Sequence, residues 1–327
     1  MIRNLLVILV VLLSVSCEKK SQTPQEMLLG NWVQVVPKHL KGEIYIPTDE
    51  DTLAYEFKSN GMCDFKLAYF DHEAYMNDTV KTWNRVVPYL GTATKYKLEH
   101  KILKIYNPSK KKWDQYKIKK LTSDSLFIDD TLKTAFVKKR YPDDESPDFD
   151  TVILSTGGCF GPCPGNDIVI DRGGNVLFDG YYHVKNKGLY KGKISNEAFN
   201  KLSLRFRQAD YSNLKSEYPL KYPHGSSTFL TFVKNGKILK TVKDDGTAPK
   251  EFVWAYRPLQ YFEQQIELKR FKQKVYLEMK HPRVSFHDLS LYLEVIRLSI
   301  FITYLKWVEK LMKILKKNMR CITTTNS

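Results

Sequence analysis

The sequence lacks the short motifs that name a reaction. It has no His-Glu-x-x-His, no Gly-x-Ser-x-Gly, no Gly-x-x-x-x-Gly-Lys and no Gly-x-Gly-x-x-Gly. Zinc-protease, nucleophile-elbow, P-loop and dinucleotide readings therefore have no support. Histidine and cysteine are sparse, at seven and five in 327 residues, and no set of them has zinc-ligand spacing. Asp244-Asp245-Gly246 has no further oxygen ligands at fixed intervals, so it reads as a plain turn rather than a cation loop. No catalytic residue, metal or cofactor is assigned.

Long apolar runs are nearly absent as well. Residues 289–305 are broken by Glu294 and Arg297 and make no clean transmembrane span. The one unbroken run is Leu5 to Leu13, LLVILVVLL, preceded by Arg3 and followed by Ser14-Val15-Ser16 and Cys17. This is the layout of a secretory signal peptide, too short for a permanent span. A cysteine directly after small residues resembles the lipobox of bacterial lipoproteins. That resemblance implies a signal peptide over 1–16, lipidation at Cys17 and a location in the cell envelope, on a bacterial membrane facing the periplasm or the cell surface. Residues 17–26 then read as a polar tether. Export also implies an oxidising compartment.

Positive charge is plentiful, with a net of +16, and residues 269–327 hold 13 Lys+Arg against 4 Asp+Glu. For an exported chain a basic balance points to anionic lipid or glycan before nucleic acid. From Leu305, the apolar Val308, Leu311, Met312, Leu315 and Met319 share one helical arc and six cations the other. The tail therefore reads as a basic helix that docks either on the protein's own core or on a membrane surface.

Between the two ends lie two patterns. Over 27–140, eight short runs alternate or concentrate β-formers: Trp32 to Val36, Thr52 to Phe57, Met62 to Tyr69, Thr94 to Glu99, Ile102 to Tyr106, Trp113 to Lys119, Ser125 to Ile128 and Thr134 to Lys139. Asn60-Gly61 marks a tight hairpin, and the absence of a helical period predicts a closed barrel or a sandwich. The stretches LLGNW (28–32), YEFKSNG (55–61) and YKLEHKILKIYN (96–107) resemble lipocalin-like domains. The resemblance implies an antiparallel barrel with Trp32 as a structural plug at its closed end.

Residues 141–150, YPDDESPDFD, combine two prolines with five acidic side chains and read as a linker. Over 151–268 the pattern predicts an α+β domain, an antiparallel sheet with packed helices. Ser195 caps a helix over 196–208, Asn235-Gly236 joins a hairpin, and a second helix runs from about Pro249 through Ile266. Cys159 and Cys163 flank Gly161-Pro162, so a short disulfide is geometrically reasonable. The alternatives are free thiols, or a copper or redox site with His183 or His224 completing it. CFGPCP (159–164), GGNVLFDG (173–180), GLYKG (188–192) and ISNEAFNKL resemble an uncharacterised domain of exported bacterial proteins with a Cys-Phe-Gly-x-Cys-Pro signature. That resemblance implies no activity. The expected function is a membrane-anchored binding or interaction module, its partner a small apolar ligand or another envelope protein. The alternative is a thiol-based copper or redox protein using Cys159 and Cys163. Roles for Cys63 and Cys321 are not assigned.

Overall fold

A computed structural model describes residues 22–36, 52–79, 85–141, 146–157, 159, 161–219 and 225–270. The signal segment, Cys17, His224, Cys321 and the basic tail lie outside the described residues.

Eight strands close into an antiparallel barrel in sequence order: β1 Gly30–Gln34, β2 Ala54–Phe57, β3 Met62–Phe70, β4 Tyr89–Glu99, β5 Ile102–Asn107, β6 Lys112–Leu121, β7 Ser125–Ile128 and β8 Ala135–Lys139. Closure comes from β1, which pairs with β2 on one side and β8 on the other. Alternate residues Trp32, Tyr55, Phe57, Leu103, Ile105, Tyr116 and Ile118 form or pack against the interior, as the period of two requires. The turn at Asn60-Gly61 differs in detail from a two-residue hairpin. Only Gly61 has positive φ, at 75°, and Lys58 and Met62 close a three-residue loop. This is the loop class that ends on a left-handed glycine.

Two short helices were not anticipated. The end of the expected polar tether forms α1, Pro24–Leu28, because Thr23 and Glu26 make a reciprocal capping box and proline occupies its first turn. α1 carries fully buried Leu28 under the barrel. α2, His72–Asn77, starts at Asp71, whose side chain accepts from the Ala74 amide.

The second sheet has eight strands: β9 Thr151–Thr156, β10 Gly165–Asp171, β11 Asn175–Tyr182, β12 Gly188–Lys193, β13 Glu217–Tyr218, β14 Thr228–Lys234, β15 Lys237–Asp244 and β16 Leu268–Arg270. Their spatial order is β13-β15-β14-β9-β10-β11-β12-β16. The sheet is mixed rather than antiparallel throughout, because β13 joins β15 in parallel. Both edge strands, β13 and β16, are too short to leave a pattern in the sequence. α3, Asn196–Gln208, is capped by Ser195 as expected. α4, Lys250–Gln260, stops short of Ile266 and passes into a 3₁₀ turn at Phe262–Gln264. Pro258 lies inside this last turn, and its missing N–H removes a rung of the helical ladder.

Phe149, Val152, Leu154, Ile168, Ile170, Phe178, Phe199, Phe206, Phe232 and Phe252 form the sheet–helix core. Phe149 comes from the acidic Pro-containing segment, and four aromatic rings surround it. The described part of that segment is thus packed, and Arg172 pairs with Asp148.

The barrel and the sheet belong to one compact unit, with α3 and α4 between them. Trp254 of α4 packs against Val33 and Ala54 of the barrel wall, with Leu67 beside them. Arg205 of α3 donates to both carboxylate oxygens of Asp64, at 3.1 and 3.0 Å, and Lys66 adds a contact at 2.9 Å. Burial alone would raise the Asp64 carboxyl, but the Arg205 and Lys66 charges outweigh it and hold it well below the usual carboxylate range. Tyr261 stacks on Tyr89, centroids 5.2 Å apart, and Gln264 bridges the Val87 carbonyl and the Tyr89 amide.

Removing one member of a buried pair leaves an uncompensated charge, which costs about 3 kcal/mol. Arg205→Ala should therefore lower stability in urea unfolding by ~2–3 kcal/mol, and Asp64→Asn in the same background should recover part of the loss. Because the folded Asp64 carboxyl is depressed, its contribution should persist above the ordinary carboxylate range and disappear only as pH falls through and below it. Equal losses for Arg205→Ala at pH 7 and pH 2 would contradict this.

Candidate functional site

The barrel interior holds a cavity of about 220 Å³, lined among others by Trp32, Tyr55, Phe57, Leu126, Ile128 and Phe136. Its floor is set by Trp32. The indole Nε1 donates to the Leu28 carbonyl at 2.7 Å, so the ring is held across the end of the barrel that α1 covers. Lys138 lies 4.9 Å from the centre of that ring and donates to the Met27 carbonyl at 2.6 Å. Gly30, with φ of 106°, gives the chain the left-handed bend that carries it from α1 into β1. Trp32 is therefore the plug that its sequence context implies, and it is also part of the cavity wall.

At the other end, Gln34, Leu53, Asp130, Leu132 and Thr134 form the mouth. Asp130 is bound within its own loop, accepting from the Thr134 amide and hydroxyl at 2.8 and 2.6 Å. Gln34 accepts from the Leu53 amide at 3.1 Å. Between floor and mouth the wall carries two phenols, Tyr55 and Tyr116, whose side chains interact. Burial pushes both hydroxyls above the ordinary phenol range, with smaller contributions from neighbouring acidic groups such as Asp114. Both are neutral donors at any physiological pH.

These lining residues are absent from the sequence-based site assignment. The alternation Leu53-Tyr55-Phe57, Leu103-Ile105 and Leu126-Ile128 marks them as inward-facing, but inward-facing residues usually fill a small barrel. Whether space remains depends on how the rings pack, and no residue pattern reports that.

The cysteine loop lies in the second domain. Cys159 and Cys163 have their sulfurs at bonding distance and Cα atoms 5.6 Å apart, within the normal disulfide range. The loop spans β9 and β10, and the Thr156 hydroxyl ties its base by donating to the Pro164 carbonyl at 2.8 Å. Gly165 follows because a Cβ there would fall 2.1 Å from the Tyr182 ring. Asn166, fully buried, donates to the Gln260 carbonyl at the end of α4. His183 contacts the Arg85 carbonyl through Nδ1 at 2.8 Å. Among the described residues, no group of three potential metal ligands occurs. Cys63 is buried in the barrel wall, and burial raises its thiol to about 12, so it is an unreactive core residue. Asp244 accepts from the amides of Gly246, Thr247 and Ala248 and from the Tyr256 hydroxyl, a satisfied turn.

Beside that loop, cross-strand partners Asp167 and Asp179 meet on β10 and β11. Tyr181 donates to Asp167. Burial, and then the Asp167 charge, raise the Asp179 carboxyl to about 6. A raised acid disfavours the folded state once ionised, so stability should fall as pH rises from about 4 to 6 and stay level above. Asp179→Asn should then stabilise the fold by ~1 kcal/mol at pH 7.5 and by nothing at pH 3.5, as thermal unfolding at the two pH values will show. For the cysteine pair, alkylation of the unreduced protein should leave Cys159 and Cys163 unlabelled by mass. Reduction should cost ~2 kcal/mol at most, since the closed loop is so short.

Residues 150–263 match the family model described as "Domain of unknown function (DUF6438)". The match runs from the start of β9 to the 3₁₀ turn and leaves out the barrel. No curated protein matches the chain, and no solved structure matches it.

Proposed function

We propose that the chain is a binding protein of a bacterial cell envelope, held to a membrane through lipid on Cys17, whose barrel takes up a small, mainly apolar molecule. The observation that carries this reading is the cavity of about 220 Å³ behind the Trp32 plug. A small barrel normally fills its interior with side chains. Here aromatic and aliphatic groups surround space instead, with a few polar groups toward one end, the composition of a ligand site. A cavity of about 150 Å³ accommodates benzene, so at similar occupancy this one takes about nine non-hydrogen atoms. The apolar run before Ser14-Val15-Ser16-Cys17 supports export and anchoring.

The second sheet then serves as the platform on which the barrel is mounted. Neither sulfur of the Cys159–Cys163 pair is a free thiolate in this arrangement, and a thiolate is what copper coordination needs.

With about nine atoms each contributing about 0.6 kcal/mol, a fitting ligand should bind with Kd near 0.1 mM. Toluene or hexan-1-ol titrated into the protein should quench or shift tryptophan emission from Trp32, and should raise the unfolding temperature as mass action requires. Ile105→Phe, which fills the cavity from its wall, should abolish both effects while keeping the circular dichroism of the parent. Unchanged emission and melting with every apolar probe would remove the basis for this reading. Cys17→Ser should move the exported protein from the membrane to the soluble fraction.

A further inference from the structure

We infer that the barrel selects uncharged ligands, molecules with an apolar body and one neutral hydrogen-bonding group such as an alcohol or ketone, and rejects carboxylates. This rests on the binding role proposed for the cavity.

The charges on its wall carry the inference. Of the described residues lining the cavity, none is Lys, Arg or His, and the single ionisable acid is Asp130 at the mouth. A bound carboxylate would lose its hydration without a cation to replace it and would face Asp130 at the entrance, where like charge disfavours it. Lys133, between Leu132 and Thr134 in the mouth loop, is exposed to solvent and is not among the lining residues, and neither is Lys138 at the floor. Lys138 is tied to the Met27 carbonyl and covers the Trp32 ring. An ammonium head is also poorly served within the interior, since the one lining carboxylate, Asp130, sits at the mouth and Asp114 is not among the lining residues.

What the wall does offer is hydroxyl chemistry. Tyr55 and Tyr116 lie together on it. Two phenols on one wall bring two O–H donors and the lone pairs of two oxygens. That set matches a neutral hydroxyl or carbonyl oxygen. The same apolar floor of Trp32, Phe57, Leu126 and Phe136 receives the body of either ligand, so the head group alone decides between them.

The test uses one chain length with three heads, hexan-1-ol, hexanoate and hexylammonium, plus toluene as a headless probe, all at pH 7.5 on the full exported chain. Toluene and hexan-1-ol should bind, and hexanoate and hexylammonium at least tenfold more weakly. Tyr116→Phe should weaken hexan-1-ol by about three- to tenfold more than it weakens toluene. Leu132→Lys places a cation at the exposed mouth, where a side chain 82% exposed tolerates replacement, and should recover hexanoate binding. If hexanoate binds within threefold of hexan-1-ol to the parent protein, the selectivity is wrong while the binding role stands. If neither toluene nor hexan-1-ol binds, the binding role fails and the selectivity with it.

Discussion

Helix α4 has no face to give to water. Phe252, Val253, Trp254, Ala255, Tyr256 and Leu259 are all buried, six of its eleven residues. An amphipathic helix needs one apolar neighbour, whereas a helix apolar on all sides must be covered on all sides. The sheet covers one side through Phe252 and Tyr256. The barrel covers the other through Val33 and Ala54 around Trp254. A domain ending at the sheet and its helices would leave Trp254 exposed, and a barrel alone would leave Val33 and Ala54 exposed. The attachment of barrel to sheet therefore follows from the composition of one helix.

That apolar contact does not fix an orientation, since burial is non-directional. Direction comes from the polar contacts around it. Nη2 of Arg205 donates to both oxygens of Asp64 and to the Thr92 hydroxyl, which ties α3 to two neighbouring strands of the barrel. Gln264 and His183 hold backbone groups of the segment before β4. These contacts lie on different elements of the second domain, so the barrel is held at several separate points. The cavity gains a rigid wall on the β1–β3 side, and its floor is fixed separately by α1 and the Trp32 indole.

Much of the architecture was legible because it depends on local signals. Eight alternating runs, the glycine after Asn60, the Ser195 cap and the Asn235-Gly236 hairpin each act within a few residues. What escaped acts at long range or over very short elements. β13 and β16 contribute two and three residues, below the length at which alternation can be seen. Phe149 sits among acids and prolines that signal solvent, and only the core it enters, with Phe199, Phe206 and Phe232, shows why it is apolar. The cavity left no mark either, since Tyr55 and Tyr116 have the same inward parity as residues that merely fill space. Of its mouth residues, Asp130 has no assignment in the sequence and Thr134 reads as the start of a strand, whereas the two are hydrogen-bonded within one loop.

The most distinctive stretch of the sequence is also the least suited to chemistry. In CFGPCPGN five of the described positions have a structural task. The cysteines close a loop, the Pro164 carbonyl receives the Thr156 hydroxyl, Gly165 admits the Tyr182 ring, and Asn166 takes an end carbonyl of α4. Such carbonyls have no partner within their own helix, so a buried donor at that point keeps α4 anchored where Pro258 has already weakened its last turn. The signature thus bears on the same helix that joins the sheet to the barrel. The domain matched across 150–263 uses those residues to hold its helix layer. Substitutions in this loop should accordingly register first as lost stability of the helix layer.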